Sequence, residues 1–218
     1  MMTILLRRKG INLSKLTVHK YMNTELNLKS VTRKPKYRYM KGNKPHKIFD
    51  NLLKQDFKAK QRNQKWCTDF TYLFLSNGAK RYNCTIIDLY DRRVIASITD
   101  HKITSDLAKR TLQDALDNTG HPEGVILHSD QGSQFTSKDF IEFCEKNNVR
   151  QSMSRAGYPY DNAPMERYFN TLKAEEINIH TYHTDEELND RITTYAFGWY
   201  NNVRPHSHNG NIPPCKCA

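Results

Sequence analysis

No stretch of this 218-residue chain approaches the ~20 apolar residues of a membrane-spanning helix, so no membrane partner is expected. The opening Met1-Met-Thr-Ile-Leu-Leu-Arg-Arg puts its apolar run before its charges and is too short for a secretory signal. Cysteine is sparse and odd in number: five, with Cys67, Cys84 and Cys144 in apolar strand or helix contexts. That argues against a disulfide framework and for free thiols in a reducing cytoplasm. Acids are missing from one region. Residues 1–65 hold 18 Lys/Arg against three acids (Glu25, Asp50 and Asp56), whereas 66–218 hold 16 against 20. The length suits one domain of ordinary size plus an extension. The basic extension, with Tyr37, Tyr39 and Phe49 interleaved, reads as an electrostatic arm for a polyanion.

Within that extension, residues 12–22 carry a partial helical stripe through Leu13, Leu16 and Tyr21. Ser14 and Thr17 are placed to cap it or to meet a phosphate, as in a helix-turn-helix. Residues 30–47, rich in Lys/Arg with Pro35 and Pro45, read as a linker. From Trp66 the pattern changes. Residues 66–75 are apolar and β-favouring, Asn77-Gly78 signals a turn, and 81–90 and 94–99 continue as strands. Residues 105–118 place Leu107, Ala108, Leu112, Ala115 and Leu116 at helical spacing. A buried strand (124–129), a helix (137–147), a short strand (149–152), a loop (154–160) and helices at 162–176 and 185–201 follow. The order β-β-β-α-β-α-β-α-α predicts an α/β fold: a mixed five-stranded sheet flanked by helices, behind a basic N-terminal extension. The expected division is 1–60 as DNA-binding remnant and linker, 61–206 as catalytic core and 207–218 as an irregular tail.

Three carboxylates stand out. Asp69 interrupts a strand that otherwise reads as buried, where an unpaired charge is costly and calls for a cation or a metal. Asp130 closes the strand 124–129, the end at which such sheets place ligand sites. Glu166 lies 35 residues beyond (131–165 intervene), in the first turns of a helix with Pro164 at its start and Asp161 or Asn162 as the expected cap. Acids from two strands and a helix suit a pair of hard divalent cations, which prefer oxygen ligands and activate water or hydroxyl in phosphodiester chemistry. Lys173, seven residues after Glu166, falls about 20° from it around the helix and is placed to hold a phosphate. Asn170 is on the same side. Of the histidines, His128 beside Asp130 is the one nearest the site.

The segments Trp66-Cys-Thr-Asp-Phe-Thr-Tyr72, His128-Ser-Asp-Gln-Gly-Ser-Gln-Phe135, Ser154-Arg-Ala-Gly-Tyr-Pro-Tyr-Asp-Asn-Ala-Pro-Met-Glu166, Phe169-Asn-Thr-Leu-Lys173 and Tyr200-Asn-Asn-Val-Arg-Pro-His206 form an ordered, specific set. Over about residues 60–206 the chain resembles the catalytic, second-frame subunit of DDE transposases of bacterial insertion sequences, whose core is similar to retroviral integrase. The resemblance implies a ribonuclease H-like fold, Asp69, Asp130 and Glu166 as catalytic metal ligands, Mg²⁺ or Mn²⁺ as cofactor, and transposon-end and target DNA as substrates. The DNA contacts expected are Arg155, Asn162, Asn170 and Lys173; because two ends must be joined, a homo-oligomer on DNA is expected, in a cytoplasmic, nucleoid-associated location. Such enzymes cut with water and then attack with the freed 3′-hydroxyl, so no protein nucleophile is needed.

The chain departs from the family at both ends. Relatives have a longer helix-turn-helix region, and a hydrophobic, glycine-containing segment after Arg-Pro-His in place of residues 207–218. Both departures carry the expectation of a fragmentary or frame-disrupted copy. The tail's His206, His208, Cys215 and Cys217 are zinc-type ligands, but H-x-H and C-x-C are not the usual finger spacings. Two rival functions follow: a catalytically silent DNA-binding remnant or assembly modulator, and a ribonuclease H-type nuclease.

Overall fold

The computed structural model describes residues 1–28 and 47–217; nearly all of the expected linker, with Pro35, Tyr37, Tyr39 and Pro45, lies outside the described residues. Two short helices come first, α1 (Met2–Arg8) and α2 (Lys15–Lys20), the latter loosening into a π-helical turn over Tyr21–Glu25. Ser14 caps α2, its hydroxyl accepting the Thr17 N–H at 3.0 Å. α1 was not foreseen, because seven residues are too few to show a periodic face. It is tied down from outside: the Arg8 guanidinium donates to the carbonyls of Val203 (2.9 Å) and Asn211 (2.6 Å).

The five strands β1 (Lys65–Phe74), β2 (Lys80–Asp88), β3 (Val94–Asp100), β4 (Ile126–Ser129) and β5 (Arg150–Met153) form one sheet in the order β3-β2-β1-β4-β5. β1, β2 and β3 pair antiparallel through short turns, while β4 and β5 join parallel to β1 through the crossover helices α3 (Ser105–Thr119) and α4 (Lys138–Lys146). This is the expected mixed sheet, with strand limits shifted by only a residue or two. The Asn77-Gly78 signal marks a real turn, with Gly78 at φ 82° and the Leu75 N–H bonded to the Ala79 carbonyl at 3.0 Å.

β1 is central and covered on both faces, which is why it reads as a continuous apolar run. Trp66 and Phe70 face α3 and α4, joining Leu107, Leu112, Phe135 and Phe140. Cys67 faces the other layer, with Met165, Phe169 and Leu172 of α5 (Ala163–Glu175) and Tyr195 and Tyr200 beyond α6 (Asp185–Thr193). Thr104 and Thr184 cap α3 and α6 with their hydroxyls, and α3 stops at Gly120 in a left-handed conformation (φ 74°). The predicted single helix over 185–201 is α6 continued by a π-helical turn, Thr194–Tyr200. Asn201 fixes its end to β3, accepting the Val94 N–H (2.8 Å) and donating to the Val94 carbonyl (2.9 Å).

Two segments set apart on sequence pack against the core. Leu53 is 2% exposed and, with Phe57 and Ala59, joins the α5 layer, while Phe49 lies on the opposite layer. The chain turns between them, with Lys54 and Gln55 at φ 47° and 65°. At the other end, Asn209 is buried and donates to the Asp91 carbonyl (2.6 Å), and Arg62 donates to the Cys217 carbonyl (2.6 Å). Among the described residues no helix is long and apolar enough to cross a membrane.

Candidate active site

The register of the sheet brings two of the three acids together. β1 and β4 run parallel with Trp66 opposite Leu127 and Cys67 opposite His128. Carrying that register two residues further sets Asp69 beside Asp130. In-register side chains of parallel neighbours share a face, and alternation puts Asp69 on the side of Cys67, beneath α5. On α5, Met165, Phe169 and Leu172 point into the core. Glu166 is about 100° from Met165, and Lys173 about 80°. Both therefore flank the buried stripe on one side. Glu166 is exposed, whereas Lys173 and Asp69 are half-buried.

The charges respond as a cluster. Burial and then the neighbouring Asp130 carboxylate push the Asp69 pKa well up, with Glu166 adding to the rise; the Phe70 N–H at 2.7 Å and the Lys173 ammonium pull it back. Burial raises the Asp130 pKa, opposed by a hydrogen bond from the Gly132 N–H at 2.9 Å. Burial alone raises Glu166. Lys173 is lowered by burial and raised by Asp69. Burial and mutual repulsion thus raise both carboxyls, and the nearby Lys173 ammonium offsets only part of the rise at Asp69.

Groups with raised folded pKa values stabilise the fold fully below their ordinary values, and that contribution is lost as pH climbs through the raised ones. Without divalent ions, Asp69→Asn is accordingly expected to raise the melting temperature near pH 7, by a few degrees (~1 kcal/mol corresponds to about 2–4 °C at this size). The gain should vanish near about pH 4. Melting curves in EDTA across that range check it; a variant less stable at both ends would contradict the electrostatic account.

The turn after β4 packs side chains closely around Gly132. A Cβ on Gly132 would stand 2.8 Å from the Asp130 Oδ1 and 2.2 Å from the Gln134 Nε2. Both side chains crowd onto that backbone. Phe135 then anchors the turn against Phe70, ring centroids 5.2 Å apart.

Other expected site residues fall in several places. His128 shares the acids' face of the sheet, but both its ring nitrogens are spent on β5 and the residues after it: its Nδ1 meets the Ser152 hydroxyl (2.8 Å) and its Nε2 the Ser154 hydroxyl (3.1 Å). Burial pushes its pKa down to about 4, so it is a neutral brace between β4 and β5. Asn162, expected as a DNA contact or as a helix cap, is buried. It is the N-cap residue of α5 but makes no side-chain cap bond, and its amide donates instead to the Thr68 carbonyl at 3.3 Å, next to Asp69. Its Oδ1 is buried without a partner. Arg155 is exposed, lies 4.1 Å over the Tyr158 ring and bonds Asp161 through Nε at 3.1 Å. Asn170 is exposed on α5.

Sequence reasoning missed the role of Asp161. It is fully buried and accepts hydrogen bonds from Asn51, Gln55 and Arg155. Two of those partners lie 110 and 106 residues away, beyond any local pattern. Among the described residues no three His, Cys, Asp or Glu side chains already stand close enough to hold an ion by themselves. A cleft of about 180 Å³ lies elsewhere, lined by Glu175, Glu176, Arg191, Thr194, Tyr195 and Trp199. Its acids are engaged by Arg204 and by Arg191 and His180, and the Asp69–Asp130 pair sits outside it.

Integrase core domain models match residues 59–159 and 147–214. The putative transposase InsK for insertion sequence element IS150 of Escherichia coli K12 is 34% identical over 202 residues, covering 93% of this chain and 70% of that protein. The transposase InsF for insertion sequence IS3A of the same organism is 38% identical over 167 residues, or 77% of this chain and 58% of that one. The chain thus spans less than two thirds of the length of the second relative. Among solved structures, the simian T-cell lymphotropic virus intasome with the PP2A regulatory subunit B56 gamma superimposes with TM-score 0.61 at 19% identity, covering 99% of this chain and 73% of that one. The HTLV-2 integrase catalytic core domain in complex with magnesium (trimeric form) gives 0.57 at 18% identity, covering 72% and 97%. At such identities these likenesses establish the fold, the ribonuclease H-like sheet of integrase catalytic cores.

Proposed function

The chain belongs to the insertion-sequence transposases built on an integrase core domain, and from that premise we propose that it cuts DNA at the ends of a mobile element and joins the freed strand to a target. The observation that carries this reading is the seating of Asp69 and Asp130 side by side on the sheet face under α5, with Glu166 and Lys173 along the flank of that helix.

The donor set is all oxygen and starved of positive charge, which fits Mg²⁺ or Mn²⁺. Asp69 and Asp130 would hold the ions, with Glu166 completing the set. Mg²⁺ commonly takes only one or two protein carboxylates and fills its remaining positions with water and substrate phosphate. A site whose acids do not enclose an ion on their own is compatible with that habit. Bound there, such ions would supply charge neutralisation at the scissile phosphate and activation of the attacking hydroxyl. The HTLV-2 core solved with magnesium supports the choice of metal.

The chain's own residues orient the strand. Lys173 holds its ammonium within the field of Asp69, where a DNA phosphate arriving at the site adds a second anionic partner. Arg155 and Asn170, both exposed, are the further backbone contacts of the proposal. In the first step a water oxygen bonds to phosphorus and the 3′-oxygen leaves as a hydroxyl. In the second, that hydroxyl attacks a target phosphodiester and releases another 3′-hydroxyl. The extension, with 18 Lys/Arg against three acids, offsets the acidic core's repulsion of DNA. Because two ends must be joined, the working form is a homo-oligomer on DNA, in the cytoplasm with the nucleoid.

A nicking assay on a labelled transposon-end duplex tests the reading. Cleavage is expected with Mg²⁺ or Mn²⁺ and not with EDTA. Tight binding without a cut under every metal condition would make the chain a silent DNA-binding remnant instead.

A further inference from the structure

The start of α5 lacks a cap of its own. It follows a single 3₁₀ turn (Pro159–Asn162), its N-cap side chain bonds no amide of the helix, and Glu166 sits in its first turn. What holds this helix start comes from elsewhere in the chain. Asn162 straps it to the Thr68 carbonyl of β1. Asp161, fully buried, accepts from the Asn51 Nδ2 (2.9 Å), the Gln55 Nε2 (2.8 Å), the Arg155 N–H (3.0 Å) and the Arg155 Nε (3.1 Å). The Arg155 guanidinium and the amide donors hold its carboxyl far below the usual range, so it is a permanent anion. The segment that supplies Asn51 and Gln55 is itself locked to the sheet. The Leu52 N–H donates to the Ser152 hydroxyl (2.9 Å), the Met153 N–H to the Asp50 carbonyl (3.3 Å), and Leu53 is buried under α5.

We propose that Asp161 is a positioning residue, a clasp that joins the C-terminal end of the basic extension (Asn51 and Gln55) to the first turn of α5 and so sets where Glu166 stands relative to Asp69 and Asp130. The clasp rests on the reading of those three acids as the metal site. Its consequence is that the DNA-binding extension and the catalytic acids share a mechanical link: release of residues 51–55 frees the helix start that carries Glu166. Partners that orient a metal ligand without touching the ion commonly change metal affinity by roughly 10–100-fold when removed.

The test uses the full chain and Mn²⁺ alone as probe, read by the electron paramagnetic resonance signal of the free ion. Asp161→Asn keeps the size of the side chain but loses the anion and turns a donor toward Asn51 or Gln55. The double variant Asn51→Ala/Gln55→Ala leaves Asp161 and Arg155 in place and guards against a fold defect in the first. Each is expected to weaken Mn²⁺ binding about tenfold, while DNA affinity in EDTA and the circular dichroism spectrum stay unchanged. Combining them should cost little more than either alone, because they break one clasp. If Asp130→Asn abolishes Mn²⁺ binding but both clasp variants bind within about twofold of the parent, the clasp is merely structural and the proposal is overturned. If Asp130→Asn itself binds Mn²⁺ as the parent does, the reading of the acids fails and the clasp's role falls with it.

Discussion

Replacing Asp130 by asparagine is expected to reduce strand cleavage by on the order of a thousandfold or more, about 4 kcal/mol of barrier, while DNA affinity measured in EDTA stays within about twofold. The size follows from geometry. Asp130 directly follows β4, alongside Asp69 when the β1–β4 register is carried on, and its carboxylate is aimed by the Gly132 N–H. Asparagine keeps the shape and the bond from Gly132 but loses the charge that a divalent ion needs. In the proposed reading, DNA affinity would come instead from the basic extension and the lysine and arginine positions, which the substitution does not touch. Parallel cleavage and filter-binding assays on one end duplex separate the two effects. A near-normal cutting rate would remove Asp130 from the chemistry.

The second large effect is on stability. Leu53→Ala is expected to cost about 2–5 kcal/mol, the range for emptying a buried leucine site. Leu53 sits 2% exposed in the cluster of Cys67, Ile87, Leu89, Met165 and Phe169, so its removal leaves a cavity directly under α5. Urea denaturation of the parent and the variant measures the difference. A loss below about 0.5 kcal/mol would mean that residues 49–59 are an appended arm rather than part of the folded unit.

Much of the core was legible in the sequence because the signals are local. Apolar, β-favouring runs and turn residues gave the three antiparallel strands, and helical spacing of Leu107, Leu112 and Leu116 gave α3. Asp69 was visible as a charge in a strand otherwise apolar on both sides. What escaped depends on contacts between distant positions. Asn51 and Gln55 look like ordinary polar residues of a basic segment until the fold places Asp161 against them. His128 looks like a site residue by its neighbour Asp130, yet strand pairing with β5 turns it toward Ser152 and Ser154. Asn162 carries a cap residue's chemistry, but the 3₁₀ turn before it spends that amide on β1. The π-helical turn after α6 likewise leaves no mark in the hydrophobic period.

The most direct measurement is the anomalous difference density of crystals soaked in Mn²⁺. Peaks bonded to both Asp69 and Asp130, with Glu166 turned toward them, are the expected result. Manganese bound elsewhere while those three side chains stay apart would contradict the account.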